Sequence, residues 1–150
     1  MSTLLLAFFV SQLSFIASFS AECSIIRLMK TIICITTRAI WDDALKSGEY
    51  THSTITSSLG EVGFIHATTS GQTMDVIPRF TDQKDVILLF IDAEKVQSPV
   101  KFEAARSGRE GLFPHVYGPL NIDAVYSIVN VDRDAEGKFV APDALLTIAR

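Results

Sequence analysis

Residues 86–91 read VILLFI, an unbroken apolar run with no polar position for water. A helix or an exposed strand of a soluble domain shows a polar face, whereas a strand covered on both sides does not. The run is short and β-branched in part, so it predicts a central strand with layers packed on both faces. The other elements must supply those layers. The second clear strand candidate is 31–36 (TIICIT), also rich in β-branched residues.

Helical signals follow each early strand. Thr36 and Thr37 offer capping hydroxyls, and Ile40, Trp41, Ala44 and Leu45 then fall on one helical face. Gly48 is placed to end that helix. Residues 49–61 carry Ser, Thr, Gly and His52 without periodicity and read as a loop. Residues 62–67 (VGFIHA) read as a strand. Thr68, Thr69 and Ser70 cap a second helix whose buried side carries Met74, Ile77 and Phe80. Pro78 should end or kink that helix, because it lacks the N–H and clashes with the preceding turn. Residues 100–104 and 125–131 read as strands, 106–111 as a charged loop, and 143–149 as a closing helix after Pro142. Strands and helices mix without regular alternation, which predicts an α+β domain over a doubly wound parallel sheet.

The chain has 150 residues, the length of one ordinary domain. Its N-terminal end reads differently. Residues 1–21 carry no charge, yet Ser11, Gln12, Ser14, Ser18 and Ser20 dilute the apolar stretch. A membrane-spanning helix wants roughly 20 mostly apolar residues. A secretory signal wants a basic start, which Met1-Ser2-Thr3 does not supply. Residues 1–28 are therefore read as an extension or upstream start outside the fold, with a signal peptide and a membrane anchor as alternatives. Residues 29–150 form the expected single domain. The expected location is cytoplasmic, or secreted or membrane-anchored if residues 1–28 are a targeting segment.

The formal charge is −4, with no Lys or Arg run, so obligate DNA or RNA binding is not expected. Two cysteines make no disulfide scaffold. Three histidines occur without H-E-x-x-H or an i, i+4 pair, so no metal site is expected. Neither a phosphate-binding glycine loop nor a G-x-S-x-G elbow is present. Cys34 lies in an apolar strand, where a thiol usually serves as a small hydrophobe. His66 ends a strand candidate and is followed by the hydroxyl of Thr68. Such a histidine either bonds a backbone carbonyl at the rim of the core or lines a ligand site.

The densest cluster is Leu112-Phe113-Pro114-His115-Val116-Tyr117-Gly118-Pro119-Leu120. Two prolines and a glycine stiffen it, and His115 and Tyr117 share one side of an extended segment. It reads equally as a structural turn or as a ligand-facing wall. Glu103 and Arg109 precede it, an acid and a guanidinium able to address hydroxyl or phosphate groups.

Together, Thr37-Arg38-Ala39-Ile40-Trp41, Gly63-Phe64-Ile65-His66, the apolar 86–92 strand and the 112–120 cluster resemble domain of unknown function family 952. The resemblance runs from about Ile32 to about Val129 and also favours Met29 as the start. That family in turn resembles the ADP-ribosyltransferase superfamily. The resemblance implies a compact α+β domain with a split mixed or antiparallel sheet, two main helices and a cleft for NAD. It implies catalytic roles for His66, His115 and Glu103, and ligand contacts from Arg38, Tyr117, Thr68 and the Cys34 position. The family usually carries Tyr-His on its first strand, where this chain has Ile33-Cys34. A thiol is a weak donor and does not replace an imidazole. Three functions follow as expectations: an ADP-ribosyltransferase-like or NAD-binding domain, inactive if that histidine is needed; a non-enzymatic small-ligand or partner-binding module using the same cleft; and a secreted or anchored protein. The expected partner is a small molecule, and a membrane only if the N-terminal segment is retained.

A chain beginning at Met29 is expected to melt at the same temperature as the full chain. Calorimetry of both checks this, and a large loss would mean that the first 28 residues pack on the core.

Overall fold

The computed structural model describes residues 30–105 and 107–148. The expectation for residues 1–28 lies outside them. The first strand, β1 (Thr31–Thr37), leads directly into helix α1 (Arg38–Ser47). Thr37 Oγ1 accepts from the Ile40 N–H at 3.5 Å. Gly48 closes α1 at φ 89°, with its N–H bonded to the Ala44 carbonyl. Glycine takes this left-handed turn without the Cβ clash that other residues meet.

Then come β2 (Glu49–Tyr50), α2 (Leu59–Val62), β3 (Ile65–His66), α3 (Ser70–Val76) and a 3₁₀ turn (Ile77–Phe80). The remaining elements are β4 (Val86–Asp92), β5 (Val100–Ala104), β6 (Leu112–Val116), β7 (Leu120–Asn121), a 3₁₀ turn, β8 (Val125–Asn130) and α4 (Asp143–Ile148).

All pairs between these strands are antiparallel, so the expected split sheet contains no parallel pair. One sheet has the order β1-β4-β8, another β3-β6-β5, and β2 pairs with β7. The two three-stranded sheets meet at one backbone bridge. Ile33 and Thr68 exchange N–H···O bonds of 2.8 Å in both directions.

As the apolar run demands, β4 is central in its sheet and buried from Val86 to Ile91. Alternation divides the β1–β4 layer between two clusters. Ile32, Cys34, Ile87, Leu89 and Ile91 pack with Trp41, Ala44, Tyr50 and Ile65. Ile33, Ile35, Leu88 and Phe90 pack with Ile77, Val131 and Leu145.

Local expectations fail where the chain turns sharply. The 49–61 stretch holds β2 and the capped helix α2, whose Ser58 and Glu61 satisfy each other's backbone donors. The 62–67 strand shrinks to Ile65–His66, because Val62 ends α2 and Gly63 turns at φ 92°. Leu45 is 51% exposed, so the buried stripe of α1 is Trp41 and Ala44, flanked by Ile40. At Pro78 the second helix tightens into the 3₁₀ turn, keeping Ile77 buried and Met74 and Phe80 partly so.

Trp41 is 2% exposed, and its indole Nε1 is buried without a partner among the described residues. Trp41→Ala should destabilise by about 3–5 kcal/mol, measured by urea unfolding. Trp41→Phe should cost much less, since it keeps most of the ring and removes a buried, unsatisfied donor.

Candidate active-site cleft

The cleft opens beside the Ile33–Thr68 bridge, where the two larger sheets part. Its cavity is about 270 Å³. Ile33 and Ile35 of β1 form part of its apolar wall, with Phe64, Ala67, Val76, Phe80 and Phe113. Ser53, Thr54, His66, Thr68, Arg79, Ser107, Arg109 and His115 supply its polar groups.

His66 and His115 are direct cross-strand partners in the β3–β6 ladder. Their ring centroids lie 5.4 Å apart, edge to face. Phe64 holds both rings, with its centroid 4.2 Å from His115 and 4.8 Å from His66. The local cause is Gly63, whose left-handed turn starts β3 and delivers Phe64 to the same wall. Both histidines line this one cleft.

Each imidazole is oriented through Nδ1. Ser53 Oγ is 3.0 Å from Nδ1 of His66, and Ser53 is buried. Nδ1 of His115 is 2.9 Å from Glu103 Oε2, and Tyr117 donates its hydroxyl to the same oxygen at 2.6 Å. These bonds, Tyr117 first and His115 second, hold the Glu103 carboxyl below its ordinary value. An ionised carboxylate only accepts, so Nδ1 of His115 carries the proton. In the neutral ring Nε2 is then the basic nitrogen, suited to accept a proton or a ligand hydrogen bond.

Glu103 and Tyr117 therefore act behind His115 and do not line the cleft. Lys101 Nζ sits 4.6 Å from the Tyr117 ring centroid. Thr68 lines the cleft but is committed to the fold. Its Oγ1 bonds the Ile33 carbonyl at 3.2 Å and shares a 2.9 Å bond with Thr73 Oγ1.

Two more of the expected ligand contacts, Arg38 and Cys34, lie outside the cleft as Tyr117 does. Arg38 does not join the histidines. Its Nη2 donates to Asn130 Oδ1 at 2.9 Å, and it lines a separate groove with Lys84, Asp85 and Asp132. The start of α1 lies against the start of β4 and the end of β8, in a groove that no residue of β3 or β6 lines. Cys34 does not reach the cleft either, because β1 alternates and sends Ile33 and Ile35 there. The buried Cys34 thiol contacts Tyr50 Oη at 3.7 Å, and burial pushes its pKa up to about 11. A histidine at position 34 would enter the core, not the ligand space.

Ser53 and Arg79 line the cleft from outside every motif of the sequence, whereas Phe64 and Phe113 belong to the motifs that carry His66 and His115. Ser53 lies in a stretch without periodicity, and Arg79 is one cation after a proline, so neither carries a local signal. His52 sits outside the cleft, its ring 5.9 Å from that of Tyr50. Among the described residues no group of three His, Cys, Asp or Glu side chains is arranged to hold a metal, and no helix is long and apolar enough to cross a membrane.

The family described as Protein of unknown function (DUF952) matches residues 35–128. The chain belongs to this family. The match includes α1, β3, β4 and the 112–120 cluster. The crystal structure of protein CC0527 from Caulobacter crescentus is similar, with 31% identity and a TM-score of 0.65. It covers 77% of this chain and 98% of that one. A solution structure of the same protein has 33% identity and a TM-score of 0.59, covering 72% of this chain and 90% of that one. A comparison with curated proteins found no match.

The depressed Glu103 carboxyl makes a pH prediction. A lowered folded pKa stabilises above the ordinary value of 4.5, and that contribution disappears as pH falls through the folded value. Between about pH 5 and pH 3 the urea midpoint should fall less for Glu103→Gln than for the unaltered chain.

Proposed function

We propose that the cleft binds the nicotinamide–ribose end of NAD, in the manner of an ADP-ribosyltransferase-like domain. The observation that carries this reading is the opposed His66–His115 pair in a mostly apolar cavity at the split between two antiparallel sheets. Small-molecule sites are concave, apolar and completed by a few convergent polar groups. The phenyl rings of Phe64, Phe80 and Phe113 offer apolar surface for a flat heterocycle, and the imidazoles suit ribose hydroxyls. At about 270 Å³ the cavity suits one end of a dinucleotide.

A second reading keeps the cleft and drops the chemistry. Breaking the nicotinamide–ribose bond develops positive charge on the sugar, which a nearby carboxylate would stabilise. Glu103 is bonded to His115 and Tyr117, and no described carboxylate lines the cleft. That arrangement favours a binding module over a transferase.

Titration calorimetry of the full chain with NAD and with nicotinamide riboside tests the binding, and chromatography for released nicotinamide tests the chemistry. Binding with release supports catalysis, and binding without release supports the module. Absence of binding by both compounds overturns the NAD reading. His66→Ala should weaken binding about tenfold, the worth of roughly one good hydrogen bond, with an unchanged circular dichroism spectrum. His115→Ala should do the same and also lift part of the depression of the Glu103 carboxyl, the Tyr117 bond keeping the rest.

A further inference from the structure

The cleft has a cationic side that its histidines do not explain. Arg79 and Arg109 both line the cavity, from different elements. Arg79 stands on the 3₁₀ turn after α3, where Pro78 restricts the backbone and Ile77 is buried beneath it. Arg109 stands on the loop between β5 and β6, between Gly108 at φ 73° and Gly111 at φ 92°. Gln72 Nε2 of α3 donates to the Leu112 carbonyl at 2.9 Å, which ties the end of that loop to the helix preceding Arg79.

Neither guanidinium has a hydrogen-bond or ion-pair partner among the described residues. Asp75 and Glu110 line the adjoining groove on the other side of Arg109, yet neither pairs with it. Two like charges on one small cavity repel each other unless an anion joins them. The chain as a whole carries a formal charge of −4, so this is a local arrangement and not part of a basic surface. No described Asp or Glu lines the cleft to compete for the two cations.

We propose that Arg79 and Arg109 form a phosphate-binding subsite at the mouth of the cleft, so that its ligand is a phosphorylated ring compound. This deepens the reading above and rests on it. Guanidinium groups present a planar fork that matches phosphate oxygens bidentately, which a lysine point charge does not. Arg79 is exposed and Arg109 half-buried, whereas His115 is buried, so the anion sits outward and the ring inward. The subsite selects a mononucleotide or pyrophosphate end over the bare nucleoside.

The test uses the full chain, its Arg79→Met and Arg109→Met variants and the double variant, with circular dichroism confirming that each is folded. Calorimetry compares nicotinamide riboside with nicotinamide mononucleotide. The mononucleotide should bind at least about tenfold more tightly, as expected for charge-assisted bonds to phosphate. Each arginine variant should lose most of that advantage and keep its affinity for the riboside. Equal affinity for both compounds, or an advantage untouched by the double variant, overturns the proposal. If neither compound binds, the nicotinamide reading fails and inorganic pyrophosphate decides the subsite alone. Pyrophosphate binding that the double variant abolishes upholds it for another ring, and its absence in the unaltered chain overturns it.

Discussion

The reciprocal Ile33–Thr68 bridge decides where everything else goes. It is one pair of 2.8 Å backbone bonds, yet it joins the β1-β4-β8 sheet to the β3-β6-β5 sheet. Beyond the bridge the two sheets part, and the space between them is the cleft. Thr68 reinforces the junction with its hydroxyl, bonded to the Ile33 carbonyl and to Thr73. Buried backbone groups need partners, so a bridge this deep holds the two sheets in one relation. The loss of its bonds would leave donors and acceptors unpaired in the core.

The same strand sorts the chemistry. Because β1 alternates, one residue of register separates a cleft wall from a packed core. Ile33 and Ile35 face ligand space, and Cys34 is sealed among Trp41, Tyr50 and Leu89. The imidazole pair follows from an equally simple register. His66 opposes His115 across antiparallel strands, so both rings are fixed to the sheet and not to a mobile loop. Preorganisation of this kind lowers the cost of binding. The Glu103 carboxylate adds direction by setting which nitrogen of His115 bears the proton.

Charge is arranged on a different principle from the fold. Acids outnumber cations in the chain, yet the cleft collects arginines and histidines and leaves the carboxylates behind or beside them. Glu103 acts from behind His115, and Asp75 and Glu110 occupy the next groove. A ligand entering this space meets apolar walls, two imidazoles and two unneutralised guanidinium groups.

Local patterns in the sequence determined the α+β class, the central buried strand, the capped first helix and the switch at Pro78. Each of these depends on neighbours within a few residues: an unbroken apolar run, a threonine before a periodic face, a proline without its N–H. The histidine motifs at 66 and 115 were visible as stiff, chemically rich segments. Their opposition was not, because pairing across 49 positions depends on strand register and not on either segment alone. For the same reason Arg38 and Cys34 looked like site residues and lie outside the cleft, while Ser53 and Arg79 carried no local signal. Which face of β1 meets the cleft, and which loop brings its arginine to it, only the meeting of the two sheets decided.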